Sequence, residues 1–232
     1  MREIVFDTET TGLDPKAGHR LVEIGCVELV DRRETGRTFH AYFHPERDMP
    51  AEAEAVHGLS IQFLSDKPLF ASRAEELIEF LGDAPMVAHN AAFDFGFINA
   101  ELARAGRPAL DMARMCCTVQ MARKLHPGAK HSLDALCTRY GIDRSHRVKH
   151  GALLDAELLA HLYIEMTGGR QIGLGLAAEP AAAIHAPAAQ GLRPAVPARA
   201  WREPRPHAAT AAELARHAEF VATLQQPLWH DS

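Results

Sequence analysis

Apolar and polar positions alternate in two rhythms along the first 176 residues, and the two rhythms divide the chain into strands and helices. Glu3 to Phe6 opens a strand, with Ile4, Val5 and Phe6 forming an uninterrupted apolar run typical of a central position in a sheet. Leu21 to Val30 and Arg37 to Phe43 read as two further strands, the first carrying Ile24, Cys26 and Val27. Ser72 to Leu81 has a helical period and is stopped by Gly82. Met86 to His89 is a short buried strand. Asn90 is placed to cap a helix running to about Ala105, with Gly106 as its stop. Ser132 caps another from Leu133 to Tyr140, and Gly151 to Met166 is the strongest helix, ended by Gly168 and Gly169. Strands first, then helices interleaved with strands, predict an α/β fold with a mixed sheet and helices packed on it.

The pattern breaks near residue 177. Six of the fourteen prolines (Pro180, Pro187, Pro194, Pro197, Pro204 and Pro206) fall between Ala177 and Ala209, where alanine dominates the rest. Repeated proline blocks helix propagation, so 177–209 reads as a semi-extended linker. From Thr210 to Trp229 helical character returns, with Leu214, Phe220, Val221 and Leu224 on one face and Trp229 after Pro227. A short helix beyond a linker cannot bury such a face alone, and docking on a partner is expected.

Two acids close the first strand. Asp7 and Glu9 are two apart, so they point to one face, and carboxylates side by side need a cation, a shared proton or a basic partner. The end of a central strand in an α/β sheet is also where ligands bind. Asp94 stands in the first turn of its helix, where an acid serves equally well as a partner for the helix dipole. Helical spacing nevertheless puts it on the side of Phe97 and Ile98, facing the sheet. Asp155 is sharper: with Leu159, Leu162 and Met166 it heads an otherwise apolar helix stripe, and an unpaired carboxylate there costs several kcal/mol. His150 precedes that helix and reaches the same cleft; among these groups it alone changes charge near neutral pH. Hard oxygen ligands on three elements fit Mg²⁺ or Mn²⁺ better than zinc. Two such ions about 4 Å apart clamp the oxygens of a phosphoryl displacement, with the histidine deprotonating the attacking water.

Charge and composition narrow the setting without changing this chemistry. A net charge of −5 over 232 residues argues against binding phosphate backbone over a wide surface, although metal-binding acids are neutralised once cations bind. Aromatics are 6%, so aliphatic side chains must fill the core. Cys26, Cys116, Cys117 and Cys137 have no C-x-x-C spacing, which suggests neither a zinc site nor a disulfide frame and fits a reducing cytoplasm. The N-terminus lacks the apolar run of a signal peptide, and no apolar stretch has membrane-spanning length, so no membrane association is expected.

Three spaced segments carry a resemblance: Asp7-Thr8-Glu9-Thr10-Thr11-Gly12, His89-Asn90-Ala91-Ala92-Phe93-Asp94 and His150-Gly151-Ala152-Leu153-Leu154-Asp155. Together they resemble the motifs of the DEDD exonucleases, in the subgroup with histidine as base. Val56-His57-Gly58, Ser132 to Cys137 and Met166-Thr167-Gly168-Gly169 are similar to the epsilon proofreading subunits of bacterial DNA polymerase III. The resemblance covers residues 2 to about 170. It implies a ribonuclease H-like fold with a five-stranded mixed sheet, and a 3′-5′ exonuclease releasing nucleoside monophosphates from single-stranded or frayed 3′ DNA ends. By position it implies that Asp7, Glu9 and Asp155 ligate one metal, that Asp7 with Asp94 serves a second, and that His150 is the general base. Thr10 and the backbone from Thr11 through Gly12 to Leu13 would contact the terminal nucleotide, as would His57 and Glu52. Asn90 and Phe93 would line the cleft, Phe93 either against a base or as ordinary core. The site acids Asp7, Glu9 and Asp155 would touch the substrate as well.

The tail completes the implied organisation: an exonuclease domain over 1–170, a candidate sliding-clamp motif over 171–176 (Gln171 to Leu176), the linker over 177–209, and a segment over 210–232 binding the polymerase alpha (catalytic) subunit. The setting would be the cytoplasm, at the nucleoid-associated replisome. Two other readings compete. A free-standing DEDD exonuclease acting on RNA or DNA repair intermediates would need no proline-rich tether and no unpaired apolar helix. A binding module of nuclease ancestry without activity would not need competent residues at all five active-site positions.

Overall fold

A computed structural model describes residues 1–145, 147, 149–169 and 208–223. They fall into two units, one within 1–176 and one within 177–232. The first unit begins with three antiparallel strands, β1 (Arg2–Thr10), β2 (Leu21–Val30) and β3 (Arg33–Tyr42). Helices α1 (Ala51–His57), α2 (Ile61–Leu64) and α3 (Phe70–Leu81) follow, then strand β4 (Met86–Ala88) and helix α4 (Ala91–Arg104). Strand β5 (Met115–Cys117) leads into α5 (Thr118–Leu125), α6 (Leu133–Tyr140) and α7 (Ala152–Met166). The sheet order is β3-β2-β1-β4-β5, with β4 and β5 parallel to β1, so the sheet is five-stranded and mixed, as the resemblance implies.

Alternation along β1 sorts its side chains between two cores. Ile4 and Phe6 pack with Phe70, Leu77, Phe95 and Phe97 of α3 and α4; Val5 packs with Leu159, Leu162 and Met166 of α7. By the same alternation Asp7 and Glu9 lie on the α7 face, and Thr8 on the α4 face. Both faces of β1 and β2 are thus covered by helices, so nearly every position is buried, the acids Glu9, Glu23 and Glu28 included.

Several expected boundaries move. The first strand continues past Phe6 to Thr10, because Asp7 to Thr10 pair with β2. The third begins at Arg33, in an exposed polar stretch with no apolar alternation to reveal it, and stops at Tyr42. The short elements α1, α2, α5 and β5 were not legible individually; the three-residue β5 is defined by its pairing with β4. Ser132 caps α6 as expected, accepting from the Ala135 amide at 3.3 Å. Asn90 precedes α4 but does not cap it with its side chain. Its backbone is left-handed (φ 67°), whereas side-chain capping requires the extended region.

In the second unit, α8 (Ala211–Ala222) opens with a capping box: Thr210 accepts from the Glu213 amide while the Glu213 carboxylate accepts from the Thr210 amide. Leu214 and Phe220 are exposed. The expected clamp motif at Gln171 to Leu176, nearly all of the linker, and Leu224 to Trp229 lie outside the described residues.

Candidate active site

The five residues expected to do chemistry converge. Asp7, Glu9, Asp94, His150 and Asp155 line one cavity of about 310 Å³, together with Thr8, His89, Phe93, Ser132, Leu133, Asp134 and Arg147. Asp7 and Glu9 come from the end of β1. Asp94 comes from α4 on one face of the sheet, and Asp155 from α7 on the other. They meet because β1 ends where both helices present their first turns.

Asp155 reaches this point through a close approach of helix to sheet. Gly25 stands opposite Asp7 in the β1–β2 register, and a Cβ there would lie 2.3 Å from the Leu153 backbone. Asp155 is 2% exposed and heads the stripe of Leu159, Leu162 and Met166, all buried, as helical spacing predicts. Asp94 is likewise buried beside Phe97 and Ile98, and Thr8 Oγ1 donates to its Oδ1 at 2.7 Å. The inward orientation therefore prevails over a purely dipolar role.

Like charges dominate the electrostatics. Desolvation first, then the neighbouring Asp94, Glu9 and Asp155, raise the Asp7 carboxyl well above the usual carboxylate range. Burial, then Glu23 and Asp155, push Glu9 up to about 8. Burial pushes Asp94 up to about 7, against the hydrogen bond from Thr8. Acids that resist ionisation together form a site whose ionised state requires added positive charge. Among the described residues, ligand atoms of Glu9, His150 and Asp155 lie within 4.8 Å of one another. The carboxylates of Glu9 and Asp155, with Asp7 in the same cavity, are hard oxygen donors that fit a divalent cation such as Mg²⁺ or Mn²⁺.

A second, larger cavity of about 560 Å³ adjoins the first and shares Thr8, Glu9 and Phe93 as walls. Thr10, Thr11, Gly12, Leu13, Glu52 and His57 line it, whereas Asp7 and Asp155, also expected to touch substrate, line only the first cavity. Thr10 Oγ1 donates to the Gly12 carbonyl at 2.6 Å, bracing the turn after β1. His57 is buried; its Nδ1 accepts from the Leu59 amide at 3.0 Å, which leaves the proton on Nε2, a buried atom with no partner among the described residues. Phe93 is half-buried, with its ring 4.9 Å from that of Phe97, so it serves both the core and the shared wall. Asn90 is exposed and lies outside the walls of both cavities.

Three residues here escaped the sequence reading. Thr8 sits between the two acids of the first motif and orients Asp94 from the opposite face of the strand. Glu23 pairs in register with Glu9 and is held by His40 Nε2 at 2.7 Å. Arg147 supplies the basic partner that adjacent carboxylates demand: its guanidinium grips Asp155 at 2.5 and 2.7 Å. An arginine three positions before His150 was a signal available in the sequence.

A family model described as an exonuclease (RNase_T) matches residues 4–163. DNA polymerase III subunit epsilon of Rickettsia felis is 53% identical over 174 residues, covering 74% of this chain and 76% of the relative. The same subunit of Escherichia coli K12 is 48% identical over 176 residues, covering 73% and 72%. Among solved structures, exonuclease X in complex with 5′ overhanging duplex DNA superposes with a TM-score of 0.55 at 27% identity, over 71% of this chain and 90% of that one. With its matched domain spanning the whole acid cluster, the chain belongs to the exonuclease family and, within it, to the epsilon subunits of DNA polymerase III.

Proposed function

We propose that the two adjoining cavities divide the work of removing one nucleotide, the acid-lined one taking the scissile phosphate and the larger one the 3′-terminal nucleoside. The protein is a 3′-5′ exonuclease, the proofreading activity of DNA polymerase III. The observation that carries the chemistry is the gathering of four carboxylates from three elements, three of them held above their ordinary pKa, beside a cavity that carries the expected nucleotide contacts.

Divalent cations belong with this family. In our reading there are two, Mg²⁺ or Mn²⁺: Asp7, Glu9 and Asp155 hold the first, while Asp7 and Asp94 serve the second. Bound there, the ions would polarise the scissile phosphate and make the attacking water more acidic. His150 takes the proton from that water as the water oxygen bonds to phosphorus and the bond to the 3′ oxygen of the preceding nucleotide breaks. His150 Nδ1 stands 3.3 Å from Asp155 Oδ2, a carboxylate that would favour the imidazolium so formed. Thr8 holds Asp94 in orientation. Thr10, the backbone of Thr11 to Leu13, Glu52 and the Nε2 proton of His57 hold the terminal nucleoside, with Phe93 as the wall against its base; Asn90, outside both cavities, would meet the strand farther along.

The tail would bring this site to the polymerase: 210–232, with Leu214 and Phe220 exposed on α8, to the alpha subunit, and Gln171 to Leu176 to the sliding clamp. Cytoplasmic placement at the nucleoid-associated replisome follows from that assembly. A free-standing exonuclease acting on RNA or repair intermediates is not favoured, given epsilon subunits among the relatives.

The test is labelled single-stranded DNA incubated with Mg²⁺ or Mn²⁺. Asp7→Ala should fold and leave the DNA uncut. His150→Ala should keep binding Mn²⁺ while cleaving about 10² to 10⁴-fold more slowly. Full activity of His150→Ala would remove it as the base, and no shortening by the wild type with either metal would remove the mechanism.

A further inference from the structure

We propose that Arg147 is the resident counter-ion of the acid cluster and competes with divalent cations for Asp155, so that loading the site and releasing the arginine are one event. The inference rests on the reading of Asp155 as a metal ligand. Both oxygens of this buried carboxylate are taken by one planar fork: Arg147 Nε donates to Oδ1 at 2.5 Å and Nη2 to Oδ2 at 2.7 Å. Bidentate pairing of this kind is the strongest contact a carboxylate makes with a side chain, and it leaves Asp155 little capacity for a cation.

The same guanidinium also engages the base. Nη2 stands 2.8 Å from His150 Nδ1 and 3.4 Å from Nε2, and an arginine has no lone pair to offer, so the nearer ring nitrogen, Nδ1, accepts. In the neutral ring the proton then sits on Nε2. His150 has no free lone pair for a water while Arg147 holds it. One side chain therefore occupies a proposed metal ligand and the proposed base together.

Charge favours the exchange. Asp7, Glu9, Asp94 and Asp155 carry four negative charges when ionised; one guanidinium balances one of them, and two divalent cations balance all four. Arg147 also has somewhere to remain. Its Nη1 donates to Asp134 Oδ1 at 2.9 Å, on the half-exposed first turn of α6 and in the wall of the same cavity. Released from Asp155, the guanidinium stays at the cavity wall on this second carboxylate, which Arg144 shares at 3.0 Å.

The experiment is a Mn²⁺ titration of the full chain, followed by the resonance signal of free Mn²⁺, for the wild type, Arg147→Met, Arg147→Lys and Asp155→Asn. Melting temperatures are recorded with and without Mn²⁺. Arg147→Met is expected to bind Mn²⁺ about tenfold more tightly than the wild type. Its melting temperature should be lower without metal and should rise more on adding Mn²⁺. Arg147→Lys should fall between the two, because an ammonium cannot grip both oxygens. Unchanged or weaker Mn²⁺ binding by folded Arg147→Met overturns the proposal. If Arg147→Met does not fold, Arg147→Lys decides: tighter binding than wild type supports competition, and equal or weaker binding overturns it. Asp155→Asn separates the two readings, since wild-type Mn²⁺ binding by that variant removes Asp155 as a ligand whatever Arg147 does.

Discussion

Gly25 and Leu153 lie so close that a Cβ on the glycine would stand 2.3 Å from the helix backbone. Gly25 is the register partner of Asp7, so this contact sets the first turn of α7 against the sheet beside the site acids. Asp155 reaches Asp7 and Glu9 because the strand next to β1 has no side chain at that position.

Gly25→Ala should therefore damage both fold and chemistry. The added methyl meets backbone, which cannot rotate away, and overpacking of this kind costs about 1–3 kcal/mol. A displacement of α7 by about 1 Å would lower cleavage about 10²-fold. Denaturant midpoints and cleavage of single-stranded DNA check the two effects separately; an alanine variant with wild-type values in both would show that the helix does not depend on this approach.

Thr8→Val tests the orientation of Asp94 without changing side-chain size much. Losing the buried hydroxyl should cost about 1 kcal/mol of stability and leave the fold intact. Cleavage should drop about tenfold, less than in Asp94→Asn, which removes the charge itself. Equal cleavage by Thr8→Val and the wild type would show that Asp94 needs no guidance from β1.

Without metal, stability should fall as pH rises. Glu9 ordinarily titrates near 4.5 and is pushed up to about 8 in the fold; Asp94 moves from 3.8 to about 7. The folded protein binds these protons more tightly than the unfolded chain does. Their contribution is full below about pH 4 and is lost progressively as pH passes through 7 and 8. Melting temperatures in a chelator should decline across that window, and Mn²⁺ should recover most of the loss at pH 8. A flat profile in chelator would mean that the acids are relieved in some other way.

Removing residues 177–232 should separate tethering from cleavage. The acids, His150 and both cavities lie before residue 177, so the shortened chain should still degrade single-stranded DNA. It should no longer co-purify with the polymerase. Unchanged co-purification would put the polymerase contact on the first unit.

Where the sequence reading succeeded, local spacing was enough. Asp155, Leu159, Leu162 and Met166 recur at helical intervals, so one face carrying an acid could be predicted, and all four are buried. Strand β2 is legible over its full length because apolar residues dominate it, with only Glu23 and Glu28 charged among its ten positions. Local spacing carries no sign of β5, three residues whose strand character comes from pairing with β4, nor of the left-handed backbone at Asn90, which cancels the capping role its side chain suggests. The spacing before His150 offers two arginines, Arg144 and Arg147, and only the fold shows that Arg147 is the one on Asp155.

Residue types at given intervals are a property of the chain alone: two acids on one strand face, an inward acid on each of two helices, a histidine before the last. These are short-range matters, set by the periods of strand and helix. Packing across the sheet is what brings helices from opposite faces together at the end of β1, sets Thr8 on one acid and Arg147 on another, and uses the absent side chain at Gly25 for the approach. The Gly25–Leu153 contact alone joins residues 128 positions apart through packing and register, and no local period encodes it.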